Sequence, residues 1–190
     1  GIPDLTGTGW HHIAFTHDNS DHRVYLDGVL RDTKSGSVST FSATNLWSIG
    51  QEYDSGPSPG DYWLGKMDEV RIWKDVRTEQ EIKENMHLTL TAADIVNMPN
   101  LVAYYQFNND DAPETADGVK DVLGNHGTTI GTTYADSEVP VGGGKSATQT
   151  VNATGAYTFT DTDIELTFSG ANLPSGDIVV SKISTEDPIN

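Results

Sequence analysis

The sequence predicts an all-β sandwich, and three observations carry that prediction. Apolar and polar residues alternate at period two through several short runs, the mark of half-buried strands. Tight-turn residues separate the runs, Asp27-Gly28 most clearly, because Gly accepts the positive φ that a two-residue hairpin needs. Helical signals are sparse, the best being Thr78 followed by Glu81 in a capping box. Antiparallel strands joined by tight turns, with one short helix, argue a sandwich.

The elements follow in order. Residues 10–17, WHHIAFTH, read as a strand with the Ile13/Phe15 face buried, and DNSD at 18–21 is a turn. The next strand is 22–28, with Val24 and Leu26 on one face and Arg23 and Tyr25 on the other; 29–36 returns as its hairpin partner. Ser and Thr crowd a loop at 35–45, and 45–50 is a strand with Leu46 and Ile49 in the core. The loop 51–61, QEYDSGPSPGD, has no strand period. The run 62–73, YWLGKMDEVRIW, does, with Leu64, Val70 and Ile72 inward and Gly65 at a bulge or close approach. A helix over 79–87 carries Ile82 and Met86, and a second start lies at Thr91–Asp94. Residues 101–107, LVAYYQF, form a strand, 108–121 an acidic loop, and 122–135 weak strand material around Ile130. VPVGGGK at 139–145 reads as a linker. Beyond it, 156–159, 163–168 and 178–183 are strand candidates, too few for a sandwich of their own. The expected organisation is therefore a main β domain over 1–138, a linker over 139–145, and a partial second β domain or appended strands over 146–190.

Bulk properties narrow the function. The 190 residues suit one sandwich, alone or with a small attachment. Hydrophobic residues make up only 35%, so the large rings must supply much of the core. A net charge of −17 repels nucleic acid and anionic lipid and attracts cations. The same charge also fits solubility in a salty or extracellular setting. With no Cys, disulfides, thiolate chemistry and zinc–sulfur sites are excluded. No apolar run is long enough to span a bilayer, so neither membrane insertion nor a nucleic-acid partner is expected. The chain opens at GIPDLTGTGW without Met and reads as an excised or processed piece.

Carboxylates gather where the strand period fails. Glu52 and Asp54 flank Tyr53 directly after a strand, and Asp61 closes the loop before the next. Calcium takes six to eight oxygens, and three carboxylates with the Tyr53 carbonyl make a partial shell. A second candidate lies after LVAYYQF, where Asn108 and Asp110 stand with Asn109 and Asp111. In both places a solvated acidic loop is the plain alternative. Tyr53 and Tyr62 flank the first loop and are the expected sugar contacts, whereas Trp47 and Trp73 read as packing residues.

Catalytic patterns are weak. Asp68 and Glu69 are adjacent, so on a strand they face opposite ways, while a glycosidase pair must flank one bond. His11 and His12 likewise diverge, and His17 could reach the side of His11. No Ser–His–acid arrangement, P-loop or EF-hand loop is present.

GWHHIAFTHD, HRVYLDGVL, LWSIGQEYD and GKMDEVRIWKDVRTEQEI together resemble the concanavalin-like jellyroll domains related to laminin G and the pentraxins. The likeness runs over roughly residues 9 to 107. It implies two antiparallel sheets packed face to face. It also implies that the N-terminal strands of such a jellyroll are missing, so Phe15, Leu26, Val70, Ile72 and Trp73 would lack part of their cover. A complementary polypeptide or subunit supplying those strands is the expected remedy. In pentraxins a Glu and an Asp after the strand, and a side chain before the next, hold calcium that contacts ligand; Glu52, Asp54 and Asp61 fall at matching places. TGAYTFTDTDIELTF resembles accessory β domains of secreted multidomain bacterial proteins. The expectation is a non-catalytic, secreted or cell-surface binding and adhesion module, calcium-assisted and directed at a glycan or cell-surface polysaccharide. A structural spacer or assembly domain of a large surface protein is the alternative.

Overall fold

A computed structural model describes residues 1–37, 47–53, 58–108, 118–129, 131–135, 139, 141–142, 144–159, 164–168 and 176–183. The first sheet holds β1 (Ile13–His17), β2 (Asp21–Leu26) and β3 (Val29–Ser35) in that spatial order, antiparallel throughout. Asp27 and Gly28 have φ of 51° and 73°, the positive pair that a two-residue hairpin turn requires. A Cβ on Gly28 would lie 2.6 Å from Lys83 Cγ, so the tip of this hairpin is pressed against the first helix. Tyr25 and Leu26 are both buried, which covers both faces of β2 at that end.

The chain next builds β4 (Val70–Trp73), two short helices and β5 (Leu101–Tyr105), with β4 and β5 antiparallel. Helix α1 (Glu79–Asn85) opens on a complete Thr78/Glu81 capping box, and α2 (Ala92–Val96) on a complete Thr91/Asp94 box. Both helix starts were legible in the sequence. Leu90, Leu101 and Tyr104 form the buried centre, with Trp73, Ile95 and Met98 packed against it. The Arg77 guanidinium lies 4.3 Å from the centroid of the Trp73 ring, which places Trp73 as a packing residue, as expected.

Two short strands follow, β6 (Gly118–Val119) and β7 (Gly127–Thr128), paired antiparallel. The loop between them hangs on Asp121, which is buried. One carboxylate oxygen accepts from the amides of Tyr104 and Leu123, the other from the amide and side chain of Asn125. Ile130 lies outside the described residues.

In the C-terminal part, β8 (Gly144–Val151) pairs with β11 (Gly176–Ile183), and β9 (Gly155–Phe159) with β10 (Ile164–Phe168), all antiparallel. Val151 and Phe159 are fully buried there. The stretch expected to be a linker ends inside β8. It is also paired: Gly142 forms a parallel bridge with Leu88, its carbonyl accepting from the Thr89 amide at 2.9 Å. Thr148 Oγ1 donates to Glu84 Oε1 at 2.7 Å, which ties β8 to α1.

Three expectations about cover fail. Phe15 is 74% exposed and Leu64 96% exposed, so neither reaches a core. Ile49 is also exposed, and Leu46 lies outside the described residues. The expected strand over 62–73 contracts to β4, and residues 47–50 form no strand. Period two fixes which side chains share a face, but a partner surface decides whether that face is covered. Leu26 does find cover; Val70, Ile72 and Trp73 are half-buried.

Candidate functional site

The loop that breaks the strand period is closed at its neck by backbone pairing. Glu52 and Gly60 exchange both amide hydrogen bonds, at 3.1 and 2.9 Å, and the Trp63 amide donates to the Gly50 carbonyl at 2.8 Å. This pairing brings the stretches carrying Glu52 and Asp61 together, as the sequence expected for a shared loop. Asp61 is exposed and sits at φ 44°, a left-handed conformation that Asp tolerates better than most residues. Asp54 lies outside the described residues.

Large rings close in sequence to this neck are exposed. Trp47 is 61% exposed, Tyr62 58% and Trp63 50%. Tyr62 donates its hydroxyl to the Pro59 carbonyl, and Tyr53, half-buried, accepts from Gln51 Nε2 at 3.1 Å. A Cβ on Gly65 would lie 3.0 Å from Trp63 Nε1, so Gly65 permits the close approach that the sequence suggested. Trp47 was expected to be packing and is instead largely open. Trp63 adds a third exposed ring beside the predicted Tyr62. Its signal was the YW pair at the loop exit, where the sequence begins the expected 62–73 strand.

The side chains expected to hold calcium amount to part of a shell among the described residues. Glu52 and Asp61 are the two carboxylates of the loop among the described residues, short of the six to eight oxygens calcium takes, and Asp54 would be the third. Among the described residues no three His, Asp or Glu side chains cluster as a metal group. At the second candidate, Asn108 is exposed just beyond β5, and Asp110 lies outside the described residues.

The adjacent acids Asp68 and Glu69 have separate duties. Asp68 accepts from the Glu69 amide, while Glu69, at φ 55°, turns inward. Glu69 Oε2 accepts from Tyr104 Oη and from Arg71 at 3.0 Å. Arg71 donates in turn to the carbonyls of Asn85 and Leu88. Burial raises the Glu69 carboxyl above its ordinary range, partly offset by Tyr104 and Arg71. Burial, then the Glu69 charge, raises the Tyr104 phenol. The Tyr104 hydroxyl also accepts from the Leu90 amide and from Gln106. These groups are committed to one another and bind β4, β5 and the helical segment together.

The histidines separate as well. His11 bonds to Asp27 at 2.8 Å and to Thr8, whereas the ring stacked on His17 is that of His22. His12 is lowered to about 4, first by burial and then by the Arg71 charge.

Residues 3–83 match the family model Laminin_G_3, the concanavalin A-like lectin/glucanases superfamily. That segment is concanavalin A-like. The chain is 29% identical over 112 residues to the sushi, von Willebrand factor type A, EGF and pentraxin domain-containing protein 1 of Rattus norvegicus, covering 55% of this chain and 3% of that protein. A solved structure, a candidate carbohydrate-binding protein from Bacteroides ovatus, aligns with TM-score 0.55 and 28% identity over 70% of this chain and 37% of that one. The chain thus spans a small part of the rat protein and little more than a third of the solved chain. The antiparallel sheets and short helices agree with a concanavalin-like β-sandwich.

Proposed function

We propose that the chain is a non-catalytic carbohydrate-binding module whose ligand face is the neck of the 51–61 loop. The observation that carries this is the exposure of Tyr62 and Trp63 beside the Glu52–Gly60 bridge, with Trp47, ahead of the loop in sequence, also open. Sugar rings present CH faces that pack on open aromatic surfaces, and acidic side chains accept from their hydroxyls. The concanavalin A-like segment and the Bacteroides ovatus neighbour support the same ligand class. The superfamily's name spans lectins and glucanases; the commitment of Glu69 to Arg71 and Tyr104 supports binding over hydrolysis.

In this reading calcium assists, held by Glu52, Asp54 and Asp61, with Asn108 and Asp110 as a second, independent place. An extracellular or cell-surface setting for adhesion fits the net charge of −17 and the multidomain rat relative. Among the described residues no helix is long and apolar enough to cross a membrane. A second reading, an assembly domain completed by strands from another polypeptide, is favoured by the open Phe15 and Leu64 side chains.

A glycan array read with and without calcium tests both. Binding that is lost in Trp63→Ala and reduced in Glu52→Gln is expected. No glycan signal in either condition, together with a second polypeptide in the intact mass, favours assembly instead.

A further inference from the structure

We propose that His17 and His22 form a two-histidine site for a divalent transition-metal ion of the zinc, nickel and copper class. The two residues are direct partners across β1 and β2. The Asp18 amide donates to the Asp21 carbonyl at the turn, so the next pair inward, His17 and His22, is a non-hydrogen-bonded one. Side chains stand closest together in such pairs. The two imidazole centroids are 4.5 Å apart, with planes inclined by 25°.

Both ring nitrogens of His17 are buried and have no hydrogen-bond partner among the described residues. A buried polar atom normally has a partner, and two such atoms on one ring leave both nitrogens available to water or to an ion. The stacked His22 ring makes no hydrogen bond to His17, yet its nitrogens are the ligand atoms that a shared ion would use. Gly36, just past the end of β3, lies close against His22: a Cβ there would lie 3.3 Å from its Nε2, so the glycine keeps that nitrogen from being crowded.

Imidazole nitrogen suits borderline ions such as zinc, nickel and copper, whereas calcium prefers oxygen. The two sites therefore differ in ligand chemistry as well as in place. Asp18 and Asp21 flank the turn and share the Arg23 guanidinium, and Lys34 stands opposite His22 across β2 and β3, so the formal charges around the pair balance. Ligation needs one nitrogen from each ring at about 2.1 Å from the ion. The stacked rings reach that by turning about χ2, a soft torsion in histidine. Two protein ligands leave coordination positions open to water or to a donor from a bound molecule.

Calorimetric titration with zinc chloride and with nickel chloride tests this, alongside NMR of the imidazole signals. Saturable binding of a single ion that shifts the His17 and His22 signals is expected. It is abolished in both His17→Phe and His22→Phe, each of which keeps an aromatic ring in the stack. Binding retained in either variant overturns the proposal. So does the absence of any shift in those two imidazoles of the unsubstituted chain, a result that does not depend on whether a variant folds.

Discussion

Glu69 and Asp61 are carboxylates on either side of Trp63, both at residues with positive φ, yet their surroundings are opposite. Glu69 is turned inward and held by Arg71 and Tyr104. Asp61 is exposed at the loop neck among open rings. The contrast separates a carboxylate whose hydrogen-bonding capacity is spent on the fold from one placed where a ligand can meet it. It also shows why adjacent acids such as Asp68 and Glu69 are a poor catalytic signal here: the one that turns inward is already occupied.

Substitutions on the two sides should therefore part company. The largest effect belongs to Tyr104→Ala, which removes a fully buried ring and leaves Glu69 and the Leu90 amide without their shared partner. Stability should fall by about 3–5 kcal/mol in urea unfolding. A loss under 1 kcal/mol would mean that the Tyr104 cluster does not hold the fold.

Next comes acid sensitivity on the buried side. His12 sits at about 4 when folded against 6.5 when exposed, so between those values the unfolded chain binds more protons than the folded one. Stability from keeping His12 neutral is fully present above about 6.5 and is lost as pH falls toward about 4. The raised Glu69 carboxyl works in the opposite direction, being easier to fold when protonated. The His12 part is at most about 3 kcal/mol. It is read as the difference in unfolding free energy between the unsubstituted chain and His12→Asn across that window. Equal slopes in the two chains would remove His12 from the account.

The smallest stability effect belongs to the open side. Trp63→Ala should change unfolding free energy by no more than about 0.5 kcal/mol while removing the glycan signal. A stability loss comparable to that of Tyr104→Ala would turn Trp63 into a core residue and undo the contrast.

Much of the scaffold could be read before any coordinates. The Asp27-Gly28 turn, both capping boxes and the LVAYY strand depend on neighbours within a few residues, and local sequence encodes such features directly. The approach of the two ends of the 51–61 loop, Glu52 bridged to Gly60, has the same local origin. Asp121 was missed because its partners, the amides of Tyr104, Leu123 and Asn125, depend on β5 passing beside its loop. The His17–His22 stack was missed because the pairing register set it, whereas ring spacing along one strand pointed to His11.

What the sequence by itself determined is most of the strands, the Asp27-Gly28 turn, both helix starts, and the acidic character of one loop. Those follow from backbone preferences and short-range hydrogen bonds. Only the tertiary structure decided which faces are covered. Phe15 and Leu64 carry the same alternation as buried strand residues, yet both are largely exposed, while Tyr104 is fully enclosed. Burial belongs to pairs of surfaces, and a single run of residues holds only one of each pair.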